Sequence, residues 1–185
     1  MSDRGAEECY SSTTMFTRFA AALLLFGLDG GAPVPRITSK NWEHHPHVAS
    51  ARTVYAEVRA SLDAKRLVTR DLQDCTQEFS SFTVATDDKG VVRLLVRDFG
   101  SDDSSHRAET YYDAAGKLRF VFVRVGAVPS AWVEARFWLD EKGALVWKTR
   151  AVGGEGPQYY ANEPKEYLVR DPTAFVQERT RCLDR

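Results

Sequence analysis

Three four-residue stretches, DDKG at 87–90, DAAG at 113–116 and DEKG at 140–143, decide the fold of this chain. Aspartate at the first position of a type I turn accepts hydrogen bonds from backbone N–H groups, and glycine at the last position accommodates positive φ. Such a turn closes a β-hairpin. Because the turns recur at spacings of 26 and 27 residues, they predict three hairpins in series that point the same way.

The segments around these turns alternate with a period of two, which is the pattern of β-strands. Residues 132–139 alternate in this way, and residues 118–125 are apolar on both parities, as in a strand covered on both sides. With connections at 100–105 and 127–130, the strands form a six-stranded antiparallel meander. A seventh strand is expected near 67–74.

Two helices are predicted to flank the sheet. Asp171-Pro172 combines an N-cap residue with proline at the first helical position, which indicates a short C-terminal helix. An N-terminal amphipathic helix is indicated by apolar residues at steps of three and four, namely Val48, Ala51, Tyr55, Val58 and Leu62. The predicted fold class is therefore α+β: an antiparallel six- to seven-stranded β-meander, with the N-terminal helix packed on one face and a short C-terminal helix.

Residues 15–32 have the three parts of a signal peptide: a basic residue at Arg18, an apolar run over 19–28 and small residues before Pro33. The apolar run spans about 10 residues, whereas a helix that crosses a membrane needs about 20, so no stable membrane span is expected. The pattern predicts export, and hence a periplasmic or secreted protein.

The signal peptide also sets the expected domain boundaries. Met15 is interpreted as the true translation start, and residues 1–14 as a non-native upstream extension. Prolines within 33–46 predict a linker. Residues 47–185 are expected to form a single globular domain, since a chain of this length favours one domain.

The chain has three cysteines, and removal of the signal peptide would eliminate Cys9. The remaining pair, Cys75 and Cys182, is predicted to form a disulfide in an oxidising compartment, tying the C-terminal helix to the start of the sheet. The alternative is two buried free thiols. Neither cysteine has a second cysteine or a histidine at ligand spacing, so no metal or other cofactor is expected.

The charge balance limits the classes of partner. With 25 basic and 26 acidic residues the formal net charge is −1, and no basic stripe is present for nucleic acid. The histidines His44, His45 and His47 lie in the predicted linker, and we interpret them as part of a flexible polar segment. Residues 102–106 hold the residue types of a catalytic triad, but their adjacency indicates a solvated loop, because triad members converge from separate segments.

Strand parity predicts two different sheet faces. The apolar face, which should take the N-terminal helix, carries Val92, Leu94, Val96, Val121, Val123, Val133, Phe137 and Leu139. The opposite face mixes large aromatic side chains with arginines, a composition enriched in binding surfaces. Its candidate binding residues are Arg93, Arg97, Tyr111, Trp132, Arg136 and Trp138. The alternative interpretation is cross-strand pairing on a solvent face, with arginine stems lying over rings.

Residues 111–118 and 137–145 share the pattern aromatic-x-Asp-x-x-Gly-x-Leu. They resemble the hairpin units of small exported bacterial proteins. The resemblance concerns the fold and implies no activity.

Three functional hypotheses follow. The first is an exported, non-enzymatic binding module of the bacterial envelope, whose partner is another envelope or secreted protein, or a small anionic or aromatic ligand. The second is a hydrolase-type enzyme with Glu109 or Glu134 as its acid or base. The third is a structural envelope domain. The lack of a catalytic constellation in the sequence favours binding over catalysis.

Overall fold

The computed structural model describes residues 34–78, 80–155 and 164–181. Within these residues lie two α-helices, seven β-strands and two single-turn 3₁₀ helices at Trp42–His44 and Pro164–Glu166. In chain order the main elements are α1 (Pro46–Asp63), β1 (Val68–Gln73), β2 (Ser81–Thr86), β3 (Val92–Ser101), β4 (Ser104–Tyr112), β5 (Leu118–Ala127), β6 (Ala131–Leu139), β7 (Leu145–Gly153) and α2 (Pro172–Thr180).

The strands form one antiparallel sheet in the order β1 to β7, each paired with its neighbours in sequence. This confirms the predicted α+β fold and the meander, with the seventh strand present at its start. Helix α1 contacts β4 to β7, and α2 contacts β1 and β3. No helix in the described ranges is long and apolar enough to span a membrane.

The three turns have the predicted chemistry. At the β4–β5 tip, one carboxylate oxygen of Asp113 accepts hydrogen bonds from the backbone N–H groups of Ala115 and Lys117, at 2.9 and 3.0 Å. Gly116 closes the turn with φ at +74°. The tips at 87–90 and 140–143 repeat the same pair of bonds and the positive φ. Local hydrogen bonding therefore sets each hairpin.

Helix α1 packs on the face opposite to the predicted one. Its apolar stripe contacts Tyr111, Phe120 and Trp138, which lie directly opposite one another across β4, β5 and β6. We call these three residues the aromatic row and this side of the sheet the α1 face. The predicted face was wrong because the aliphatic side chains were expected to lie under the helix, whereas the large aromatic rings bury more apolar area there.

The other side of the sheet, here the C-terminal face, is covered by the end of the chain. Val121, Val123, Val133, Phe137 and Leu139, expected to lie under the helix, form a core there instead. They pack with residues that follow the last strand, namely Tyr167, Leu168, Val169, Phe175 and Val176. Both faces of the sheet are therefore covered, at least in part, by the chain itself.

The predicted apolar set of β3 is also split between the faces. The β2–β3 register shifts between Ala85 and Thr86. Ala85 lies opposite Leu94 and Thr86 lies opposite Val92, so β3 contains one extra residue at this point. Val92 therefore packs in the core of the C-terminal face, whereas Leu94 and Val96 pack under α1. Alternation alone does not reveal such a bulge.

The segment before α1, expected to be a linker, packs on the sheet. Ile37 and Trp42 join the cluster under α1, and residues 34–185 form one compact unit. His45 is buried and precedes the helix as its N-cap, with Nε2 at 2.8 Å from the carbonyl oxygen of Pro35. The prolines therefore shape a folded approach to the helix.

The start of the sheet is tied to α2. The backbone N–H of Cys75 donates to the carbonyl of Arg179 at 3.0 Å, and Arg179 pairs with Asp74 at the same distance. Cys75 is disulfide-bonded. Its predicted partner Cys182 lies outside the described residues, as do the predicted signal peptide and upstream extension, so these three assignments stay predictions.

Gly90 offers a clean test of the turn chemistry, because its φ is +77° and a Cβ there would meet no atom within 4 Å. Gly90→Ala should lower the free energy of unfolding by about 1 kcal/mol through backbone strain alone. Gly90→Asn should cost clearly less, since asparagine tolerates the left-handed region. Chemical denaturation of both variants measures this, and equal losses would contradict it.

Candidate functional site

Helix α1 covers only part of its face of the sheet. Its first turns lie near the hairpin tips, where His47 Nδ1 is 3.2 Å from Glu141 and Ser50 Oγ accepts from Arg119 at 2.8 Å. Between the helix and strands β4 to β7 a groove of about 950 Å³ remains. It is lined by Trp42, Arg52, Tyr55, Arg59, Glu109, Phe120, Phe122, Arg136, Trp138, Thr149, Arg150 and Ala151.

The floor of the groove is built from two neighbouring cross-strand rows. The first is the aromatic row, of which Phe120 and Trp138 reach the groove. The second, two residues further along each strand, places Glu109, Phe122, Arg136 and Thr149 directly opposite one another across β4 to β7. Antiparallel register thus puts a charged row beside an apolar one.

The helix forms the other wall. Arg52, Tyr55 and Arg59 are spaced by three and four residues, so they share one side of α1. Tyr55 lies 4.9 Å from the ring of Tyr111 and 5.5 Å from that of Phe120, between centroids. It remains 40% exposed, so part of its ring faces the groove.

The arginines of the groove stack on rings. The Arg52 guanidinium lies 5.4 Å from the ring centroid of Trp42 and donates to the carbonyl of Glu43 at 2.6 Å. The Arg136 guanidinium lies 5.0 Å from the centroid of Phe122. The neighbouring Tyr111 hydroxyl raises the pKa of Arg59, despite the opposing effect of burial. These side chains are permanent cations held against apolar surface.

Charge in the groove is unbalanced. Among the lining residues are four arginines and a single carboxylate, Glu109. Glu109 accepts from the Tyr111 hydroxyl at 2.6 Å through Oε2 and from Arg107 at 3.3 Å through Oε1. Burial, followed by this hydrogen bond, raises the pKa of Tyr111, so the phenol stays neutral. The described lining therefore holds more cationic than anionic side chains.

Both glutamates proposed as catalytic groups belong to ion pairs. Glu134 lies 3.7 Å from Arg124 and 3.3 Å from Arg136, and Glu109 is held by Arg107 and Tyr111. A general acid or base needs an oxygen directed at a reacting group. The observed arrangement is that of cross-strand charge pairing, so the geometry adds no support for the hydrolase hypothesis.

Two predicted binding residues lie on the C-terminal face. Arg97 stacks between Phe99 and Phe175, at 5.4 and 5.3 Å from their centroids, and donates to the carbonyl of Glu166 at 3.0 Å. Burial lowers its pKa. Arg93, beside the register shift, donates to the carbonyl of Tyr112 at 3.2 Å. Both arginines therefore make contacts within the domain.

The other four lie on the α1 face but not in one patch. Tyr111 is buried beneath the helix, and Trp138 is buried with an edge at the groove. Trp132 is 40% exposed, opposite Gly153 at the far end of β6. Of the six candidates, only Arg136 and Trp138 line the groove. The aromatic–arginine surface expected from strand parity is therefore not continuous, and two of its six candidate residues line the groove.

Sequence reasoning missed the contributions of α1 and of the segment before it. The apolar stripe of the predicted helix does not include Arg52 and Arg59, and Trp42 falls within the predicted linker at 33–46. A usable signal was present, since Arg52 and Arg59 flank Tyr55 at helical spacing. Their meeting with Arg136 depends on tertiary packing.

The remaining candidates have structural roles. At the β3–β4 turn, which contains the 102–106 segment, the hydroxyls of Ser101 and Ser104 form a hydrogen bond of 2.8 Å. His106 stacks on Phe99 with centroids 4.8 Å apart, its Nδ1 lies 3.2 Å from the hydroxyl of Tyr167, and burial lowers its pKa. Within the described part of the chain, no three His, Cys, Asp or Glu side chains are grouped to hold a metal ion.

Comparison of the chain with family models, with curated proteins and with solved structures yields no match. Its function must therefore be argued from the fold and the groove.

Arg97→Ala should lower the free energy of unfolding by about 2 kcal/mol, because the stacked guanidinium and its stem fill the space between two rings. The matched change Arg124→Ala, on the neighbouring half of the sheet and 66% exposed, should alter it by less than about 0.5 kcal/mol. Denaturant titration of both variants measures the difference. Similar losses would contradict the structural role assigned to Arg97.

Proposed function

We propose that this domain is an exported, non-enzymatic binding module, and that the groove between α1 and strands β4 to β7 holds a small ligand with an anionic group and an apolar body. The observation that carries this proposal is the lining of the groove, where four arginines and one carboxylate surround five aromatic rings. The proposed site is this groove, in place of the broad binding face expected from strand parity.

The charge of the groove supports an anionic ligand. Arginine presents N–H donors in a planar fork, which matches carboxylate, sulfonate and phosphate groups. Arg52 and Arg136 are already stacked on Trp42 and Phe122, so less side-chain freedom would be lost on binding. Preorganised cations of this kind favour affinity.

The size and composition of the groove support a small molecule. Its volume of about 950 Å³ lies within the range of small-molecule sites, which are mainly apolar with a few placed polar groups. The remainder of the α1 face is lined by charges that pair with each other, such as Arg107 with Asp98 at 2.8 Å. The groove is therefore the favoured site over the open sheet.

The proposal is tested with 8-anilinonaphthalene-1-sulfonate, an aromatic anion whose fluorescence rises in apolar surroundings. The double variant Arg52→Gln/Arg136→Gln should weaken binding of this dye at least tenfold, because each charge-assisted hydrogen bond is worth about 1.5–3 kcal/mol. The control Arg66→Gln/Arg70→Gln removes the same charge outside the groove and should leave the affinity within twofold.

Near-ultraviolet circular dichroism should confirm native packing in each variant, because this dye also binds molten states. No saturable binding to the folded wild-type protein would overturn the proposal. Equal weakening by both double variants would also overturn it, since the effect would then follow net charge.

Export is the second part of the proposal. It is supported by the signal-peptide pattern at 15–32 and by the disulfide at Cys75, since disulfides persist in oxidising compartments. On expression in a bacterium, the mature protein should be recovered from the periplasm or medium with its N-terminus near Pro33. Leu24→Arg, which interrupts the apolar run, should abolish export. An uncleaved cytoplasmic product from the unaltered chain would refute this part.

A further inference from the structure

The groove differs from a pocket suited to an acyl chain in the kind of apolar surface it offers. Among the described residues that line it, the apolar side chains are five rings and Ala151, with no leucine, isoleucine, valine or methionine. Aromatic rings attract one another in tilted, edge-on and offset arrangements, through the quadrupoles of their π-systems. The lining therefore favours a ligand that is itself aromatic.

Four of the five rings already form one connected set. Trp42 contacts Trp138 at 5.1 Å, Trp138 contacts Phe120 at 5.6 Å, and Tyr55 meets Phe120 edge-on at 79°. Tyr55 stands on the helix wall and Phe122 on the sheet floor, and each keeps part of its ring exposed. A planar ring entering between them would extend this set rather than disturb it.

The two ends of the groove differ in charge. At the β4 end, Arg59 lies beside Glu109, so the cation and the carboxylate offset each other. Towards β6 and β7 the lining includes Arg52 and Arg136, and Glu134, the carboxylate that pairs with Arg136, is shared with Arg124. Net positive charge is therefore concentrated at the β6–β7 end.

Arg52 and Arg136 are linked through stacked rings. Arg52 lies over Trp42, Trp42 contacts Trp138, and Trp138 is two residues from Arg136 on the same face of β6. Arg52 and Arg59 lie seven residues apart on α1, which corresponds to about 10.5 Å along the helix. A small ligand with one anionic group can therefore place that group at only one of the two ends.

We infer that the groove takes an aryl carboxylate, with its carboxylate at Arg52 and Arg136 and its ring between Tyr55 and Phe122. This inference rests on the proposed binding function and adds to it the ligand class and the orientation. The carboxylate meets the end of the groove where arginines outnumber carboxylates, and the ring meets the exposed aromatic surfaces.

The class is tested by comparing 2-naphthoate with decanoate, which carry the same charge on a planar aromatic and on a flexible aliphatic body. Calorimetric titration of the folded wild-type domain should give at least tenfold tighter binding of 2-naphthoate. Decanoate binding as tightly or more tightly would overturn the aryl class while leaving the binding function in place. Failure of both anions, together with failure of the naphthalene sulfonate dye, would overturn both.

The orientation is tested by single arginine variants. Arg52→Gln and Arg136→Gln should each weaken 2-naphthoate at least fivefold, whereas Arg59→Gln should weaken it less than twofold. Arg70→Gln, at an exposed position of β1 outside the groove, serves as the matched control and should have no effect. A larger loss for Arg59→Gln than for Arg136→Gln would overturn the assigned orientation.

The role of the ring is tested at Tyr55, which is 40% exposed and whose replacement should leave the fold intact. Tyr55→Leu should weaken 2-naphthoate at least fivefold and decanoate less than twofold. Tyr55→Phe keeps the ring and should retain 2-naphthoate affinity. Equal loss of both ligands in Tyr55→Leu would contradict ring stacking.

Discussion

The packing of α1 on the aromatic row is the interaction on which the rest of the molecule depends. Tyr111, Phe120 and Trp138 are buried side by side across three strands, each ring removing about 150–250 Å² from water. Helix α1 rests on these rings and leaves the neighbouring row, Glu109, Phe122, Arg136 and Thr149, open to the groove. The groove therefore lies beside the aromatic row.

The two faces of the sheet are covered by segments on either side of it in the sequence. The N-terminal helix protects part of one face, and the segment after β7 protects the other, where the Tyr112 hydroxyl donates to the carbonyl of Val169 at 2.8 Å. Arg97 lies within that second layer between Phe99 and Phe175. The C-terminal face is thus largely occupied by packing against the chain itself, whereas the groove lies on the α1 face.

The fold was largely predictable because its signals are local. Each Asp-x-x-Gly turn satisfies its own backbone groups, as at Asp113, so the order and direction of the strands follow from turn chemistry. The identity of each face was not predictable, since 118–125 is apolar on both parities and the bulge near Arg93 changes the phase. Arg136 and Trp138 were found from strand parity, whereas Arg52 and Arg59 become site residues only when α1 meets the sheet.

Charge pairing distinguishes the open half of the α1 face from the groove. Arg107 lies between Asp98 and Glu109, and Glu134 lies between Arg124 and Arg136, so the open half of the face is largely self-compensated. Cations supplied by the helix disturb this balance. Arg52 comes from a different part of the chain and meets no matching carboxylate among the lining residues at its end of the groove. Among the described lining residues, the helix therefore adds positive charge where it meets the sheet.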